Sequence, residues 1–182
     1  MAVLIRPARA DDAAALAGIY APYVTDSRIS FEEIPPEADE MARRLTGDRP
    51  GYYPWFIAEV DGKACGFASS SPFRARPAYR WTVETGIYLS ADMCGQGIGR
   101  DLLARLLTVL EGQGYVAAIG AITLPNAASV ILHERLGYAQ VGTYRRVGFK
   151  LGGWLDVGLW ERNLAARETD PEEPRPFTEV PA

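Results

Sequence analysis

Residues 81–100 read WTVETGIYLSADMCGQGIGR, and this stretch decides the fold class. Trp81, Val83, Thr85, Ile87 and Leu89 alternate with Thr82, Glu84, Gly86 and Tyr88, the two-residue period of a β-strand, so Glu84 points away from the Val83 and Ile87 side. Beyond the glycine-rich run Cys94 to Arg100, Leu102, Leu103, Leu106, Leu107 and Leu110 recur at helical spacing as far as Gly112. A strand that passes through glycines into an amphipathic helix can present consecutive backbone N–H groups, at the positive end of the helix, to phosphate oxygens. On this segment alone a plain glycine-rich turn is an equal reading, and the run has neither the lysine of a Walker loop nor the crossover context of a dinucleotide fold.

Upstream, Val3 to Ile5 is a short apolar run, and Asp11 and Asp12 precede Ala13, Leu16, Ile19 and Tyr20, an acidic cap followed by helical spacing. A second helical stretch covers Pro36 to Thr46 and stops at Gly47. Trp55 to Val60 and Cys65 to Ser70 flank Asp61-Gly62, a hairpin signal. Downstream, Tyr115 to Thr123 reads as a buried strand, Asn126 as the cap of a helix ending at Gly137, and Tyr138 to Phe149 and Trp154 to Arg162 as two strands joined near Gly152-Gly153. The order β-α-α-β-β-β-α-β-α-β-β predicts an α/β fold with a mixed, largely antiparallel sheet, because hairpins outnumber crossovers. Residues 1–166 form a single domain in this reading. Residues 167–182, rich in proline and acids, are expected to be extended or disordered unless a partner orders them.

The 182 residues suffice for one domain with its own core. Lys plus Arg is 19 against 23 Asp plus Glu, a net charge of −4, which does not favour nucleic acid or an anionic membrane as partner. Two cysteines, Cys65 and Cys94, make no disulfide framework. With His133 the only histidine, a Cys/His zinc site of ordinary spacing cannot be assembled, so no metal is expected. No secretory leader or membrane span is legible, which leaves the cytoplasm as the default compartment.

The glycine loop, together with this element order, resembles the GNAT acetyltransferase superfamily. Tyr79-Arg80-Trp81-Thr82-Val83-Glu84, Leu124-Pro125-Asn126, Leu132-His133-Glu134-Arg135-Leu136-Gly137-Tyr138 and Gly152-Gly153-Trp154-Leu155-Asp156-Val157-Gly158 narrow the resemblance to phosphinothricin and methionine sulfoximine N-acetyltransferases. The resemblance implies acetyl-CoA between the strand ending at Leu89 and the strand Tyr115 to Thr123. Its pyrophosphate would lie on the amides of Gly95, Gln96, Gly97, Ile98, Gly99 and Arg100, and its pantetheine arm along the main chain of Ile87, Tyr88 and Leu89. Asn126 and Ser129 would touch it as well, and Gly86 would mark a bulge that opens the sheet.

Acetyl transfer to an amine requires the ammonium to lose a proton, and the resemblance assigns that base to Glu84. On residues alone, Glu84 reads more readily as a strand carboxylate facing solvent or paired with Arg80. His133 would stand near the CoA sulfur as a catalytic residue, protonating the leaving thiolate or bonding to it; a structural helix histidine is the other reading. Arg74 and Arg76 fall in a segment matching the family's substrate loop, where their guanidinium groups would hold acid groups of an amino-acid-like acceptor, with Phe31 and Tyr79 as apolar walls. The implied reaction moves acetyl from acetyl-CoA directly to the α-amine of a small molecule such as phosphinothricin, methionine sulfoximine or methionine sulfone. A peptide N-terminus, a polyamine or a non-catalytic acyl-CoA-binding role are the alternatives. The resemblance also implies a homodimer, with the strands around Trp154 and Trp160 near its axis and the tail along the partner. The chain departs from the family at Cys94, where the loop usually starts with Gln or Arg, and at Leu151 and Leu155, where histidine is frequent; the latter pair bears on substrate choice.

Overall fold

The computed structural model describes residues 2–167 and 170–180. A seven-stranded sheet runs in the spatial order β1 (Val3–Pro7), β2 (Trp55–Val60), β3 (Lys63–Pro72), β4 (Thr82–Leu89), β5 (Ala117–Leu124), β7 (Gly153–Asn163), β6 (Ala139–Lys150). Every neighbouring pair is antiparallel except β4 and β5. The helices are α1 (Ala13–Thr25), α2 (Ala38–Thr46), α3 (Ile98–Gly112) and α4 (Ala127–Arg135). The architecture is the mixed, largely antiparallel one expected from the sequence.

The helices divide between the two faces of the sheet, and the strand alternation settles which side chain goes where. α1 and α2 pack through Leu16, Tyr20 and Met41 on Ile57 and Phe67. α3 lays its leucines on the opposite face, against Phe56, Ala58, Ala68, Val83, Ala118 and Ile122. The core is thus two apolar layers separated by the sheet. Tyr88, on the Glu84 side of β4, lies edge-on against Tyr20 and Tyr23 of α1, so Glu84 emerges on the α1 face.

β4 and β5 pair only from Thr82 to Glu84 opposite Ala117 to Ile119. Past that point β5 stays with β7 along its whole length, while β4 stays with β3. Gly86 carries no bulge, contrary to the expectation: the β3–β4 register is unbroken from Gly66↔Leu89 to Pro72↔Val83, and the opening comes instead from divergence of β4 from β5. The strand expected from Tyr115 starts at Ala117, because Tyr115 N–H still closes the end of α3 on Leu110 O and its hydroxyl donates to Tyr52 O.

The described part of the C-terminal segment, 170–180, crosses its own domain. Trp81 Nε1 donates to Glu172 O, Arg80 pairs with Glu173, and Arg175 N donates to the carbonyl of the fully buried Gln113. Trp160 is a core residue, with Nε1 donating to Glu134 of α4.

Candidate active site

The splay between β4 and β5 opens a cleft of about 580 Å³, floored by β5, with the glycine loop and α4 on one side and α1 on the other. Ile87, Tyr88, Leu89, Gly95, Gly97, Gly99, Arg100, Asn126, Ser129 and His133 all line it. Ile98 instead turns its side chain into the core, and the exposed Gln96 side chain folds back to donate to Asp92 O. Both still contribute their amides to the loop. Gly97 caps α3 at φ +86°, a left-handed conformation that lets the chain turn into the helix. Among the described residues, the N–H groups from Gly95 to Arg100 have no backbone partner. Unpaired amides at a helix start, lining an open cleft, are the arrangement that binds pyrophosphate oxygens.

The open edge of β4 is narrower than the sequence reading implied. Ser90 N donates to Cys65 O, which fixes the alternation: the main chain of Glu84, Gly86 and Tyr88 faces β3, and that of Thr85, Ile87 and Leu89 faces the cleft. Tyr88 therefore offers no free main-chain group to a ligand. Leu89 is also occupied, since Tyr23 Oη donates to Leu89 O at 2.6 Å and accepts from Leu89 N at 3.4 Å. Ile87 keeps both main-chain groups available for an amide-bearing ligand. Sequence reasoning missed Tyr23: its spacing is that of any helix residue, and its partner lies 66 positions away.

Asn126 caps α4 by accepting from Ser129 N at 3.1 Å. His133 is 3% exposed. Its Nδ1 lies 2.8 Å from Ser129 O, and since a carbonyl only accepts, Nδ1 carries the proton. The ring stands edge-on to Tyr138 and presses against Gly120 of β5. Burial pushes its pKa below the ordinary imidazole value. This is a packed ring on the α3 and α4 side, with the sheet between it and Glu84.

Glu84 sits on the last paired rung of β4 and β5, where the strands part. Among the described residues it accepts no hydrogen bond, and Arg80 is engaged elsewhere, held by Glu173 and laid over the Trp81 ring at 3.7 Å. Burial raises the Glu84 carboxyl above its ordinary value, and the Arg74 charge partly offsets this. Arg74 thus lies within Coulomb reach of Glu84, stacked on Phe73 at 4.3 Å. Tyr79 meets Phe73 edge-on in the same loop, and Arg76 is exposed at its centre. Phe31, in the loop after α1, packs against Gly148 of β6. Glu84, Arg74, Arg76, Tyr79 and Phe31 lie outside the lining of the cleft itself. An unpartnered carboxylate at the junction of an anion-binding cleft and an arginine-bearing loop can accept a proton from an amine delivered to it.

Comparison with known proteins agrees with this geometry. The model of the acetyltransferase (GNAT) domain matches residues 5–159. Phosphinothricin N-acetyltransferase of Streptomyces viridochromogenes is 42% identical over 98% of this chain and 96% of its own. L-methionine sulfoximine/L-methionine sulfone acetyltransferase of Pseudomonas aeruginosa is 33% identical over 94% of this chain and 100% of its own. A GNAT superfamily phosphinothricin acetyltransferase from Sinorhizobium meliloti, solved in complex with AcCoA, superposes with a TM-score of 0.90 at 36% identity, covering 95% of each chain. On these grounds the chain belongs to the GNAT acetyltransferase family.

Proposed function

We propose that the enzyme transfers acetyl from acetyl-CoA to the α-amine of a small amino-acid-like acceptor of the phosphinothricin, methionine sulfoximine or methionine sulfone class. The observation that carries the reading is the lone, half-buried Glu84 carboxylate beside Arg74, at the mouth of a cleft whose loop amides suit a pyrophosphate. The names of the most similar proteins supply the acceptor class.

In the bound state acetyl-CoA would supply an activated thioester carbonyl. The amides of residues 95–100 would hold its pyrophosphate and Ile87 its pantetheine arm. Glu84 would take the proton from the acceptor ammonium, a task that its raised pKa suits. Arg74 and Arg76 would bind the acceptor's acid groups, and Phe31 and Tyr79 would bracket its side chain. Two cations at this mouth disfavour a polyamine. We assign His133 to shaping the cleft rather than to donating a proton, because burial disfavours its protonated form and its Nδ1–H is committed to Ser129 O.

The enzyme is further proposed to act in the cytoplasm as a homodimer, with 1–166 as its acetyltransferase domain and the C-terminal tail, of which 170–180 are described, lying across that domain. Val141, Tyr144, Val147 and Phe149 on the outer strand β6, with Leu151 and Trp154 beyond it, are all at least 48% exposed, an apolar edge that a second copy would cover.

Thiol release from acetyl-CoA, with methionine sulfoximine, phosphinothricin, methionine sulfone, spermidine and a short peptide in parallel, tests the acceptor class. One of the first three should win by about two orders of magnitude or more. Preference for the peptide or spermidine, or acetyl-CoA binding without turnover, would overturn it.

A further inference from the structure

Lys150 ends β6 with its side chain on the α1 face and only 7% exposed. Its Nζ donates to Ser30 O at 2.6 Å, across 120 residues of sequence. Among the described residues that carbonyl is its one hydrogen-bond partner; Glu32 and Glu33 act on it only at longer range. Burying an ammonium against one neutral acceptor costs stability, and an apolar side chain of similar length would fill the space at lower cost. The value of the ammonium therefore has to lie in what it holds.

What it holds is the segment after α1. Ser30 sits between Ile29, which lines the cleft, and Phe31. Ile29 O accepts from Thr123 Oγ1 of β5, Ser30 Oγ meets Tyr20 Oη of α1 at 2.6 Å, and Arg44 of α2 grips Glu32 through two nitrogens. The lysine adds the tether from β6. Next to it Gly148 leaves the space that the Phe31 ring occupies: a Cβ there would stand 2.1 Å from the ring. Leu155, one of the positions at which the chain departs from its family, is the register partner of Gly148 on β7 and lies beneath the same wall.

We propose that Lys150 is a positioning residue for the acceptor: by tying Ser30 O to the end of β6 it holds Phe31 against Gly148, and so sets the width of the acceptor pocket. The proposal rests on the reading of Phe31 as a wall of that pocket. It makes acceptor selectivity depend on the far end of β6, remote in sequence from both Glu84 and the arginine loop.

The test is a double-mutant cycle of Lys150→Met and Phe31→Ala, with acceptor KM, kcat and the acetyl-CoA Kd measured for each variant. Lys150→Met should raise the acceptor KM about tenfold, with kcat changed less than about threefold and the acetyl-CoA Kd unchanged. In the Phe31→Ala background the same substitution should add nothing. Gly148→Ala, which drives the ring out without touching the lysine, should reproduce the rise in KM and keeps the proposal testable if Lys150→Met does not fold. Should Phe31→Ala itself leave acceptor KM unchanged, the reading of Phe31 fails. A normal acceptor KM in Lys150→Met or in Gly148→Ala, or effects of Lys150 and Phe31 that simply add, would overturn the role of Lys150 while leaving Phe31 in place.

Discussion

The two halves of the site are built from different material. In the function proposed above, the cofactor half is main chain: loop amides from Gly95 to Arg100, the Ile87 edge of β4 and the capped start of α4. The acceptor half, in the same proposal, is side chain, drawn from the loop after α1, the loop before β4, β4 itself and the end of β6, with Lys150 to Ser30 O and Arg28 to Leu151 O tying the first of these to the last. A part built from backbone is altered through local conformation, whereas a part built from side chains is altered through charge and shape. Substitutions in the two halves should therefore leave separable kinetic signatures.

Glu84 is where the halves meet, and Glu84→Gln should have the largest effect: a fall in kcat of about 10²- to 10⁴-fold, with acetyl-CoA affinity kept. Thermal unfolding should move the opposite way. A carboxyl whose native pKa is raised binds its proton more tightly folded than unfolded, so its contribution to stability falls as pH climbs from the unfolded value through the native one. At neutral pH the glutamine variant should therefore melt higher than the wild type.

Next comes the cofactor half. Gly97→Ala forces a Cβ into a φ of +86°, at about 1–2 kcal/mol of strain, and should weaken acetyl-CoA about tenfold in a direct binding titration while acceptor KM stays put. Arg74→Ala should show the converse pattern in the acceptor half. Because Arg74 is exposed, its screened charge is worth less, and acceptor KM should rise about fivefold with the acetyl-CoA Kd unchanged. The smallest kinetic effect is expected at His133: His133→Gln should keep kcat within about threefold, far short of the loss of a general acid, while lowering the melting temperature because the ring is packed on Tyr138 and Gly120. A fall in kcat comparable to that of Glu84→Gln would return His133 to the chemistry.

The same contrast explains what could be read from the residues. The strand, loop and helix between Trp81 and Gly112 are contiguous, so period and glycine spacing placed those three elements in order, while their reading as a cofactor site came from the resemblance to the GNAT superfamily. The opening of the sheet was legible as a consequence but not in its cause: divergence of β4 and β5 depends on β7 entering beside β5, a long-range choice that no local signal at Gly86 records. The occupation of Leu89 by Tyr23 and the commitment of Arg80 to Glu173 were hidden for the same reason. His133 was legible as a helix residue near the cleft. Its burial and its proton position follow only from packing against β5 and Tyr138.

The most direct measurement is the pH dependence of kcat/KM for the best acceptor, in wild type and in Glu84→Gln. If Glu84 is the base, the wild-type profile falls on the acid side along a limb set by a carboxyl above the ordinary range, and that limb is absent from the variant, whose residual rate follows only the ionisation of the acceptor amine. The same acid limb in both proteins, with turnover in the variant close to wild type, would contradict the account and move the base elsewhere in the site.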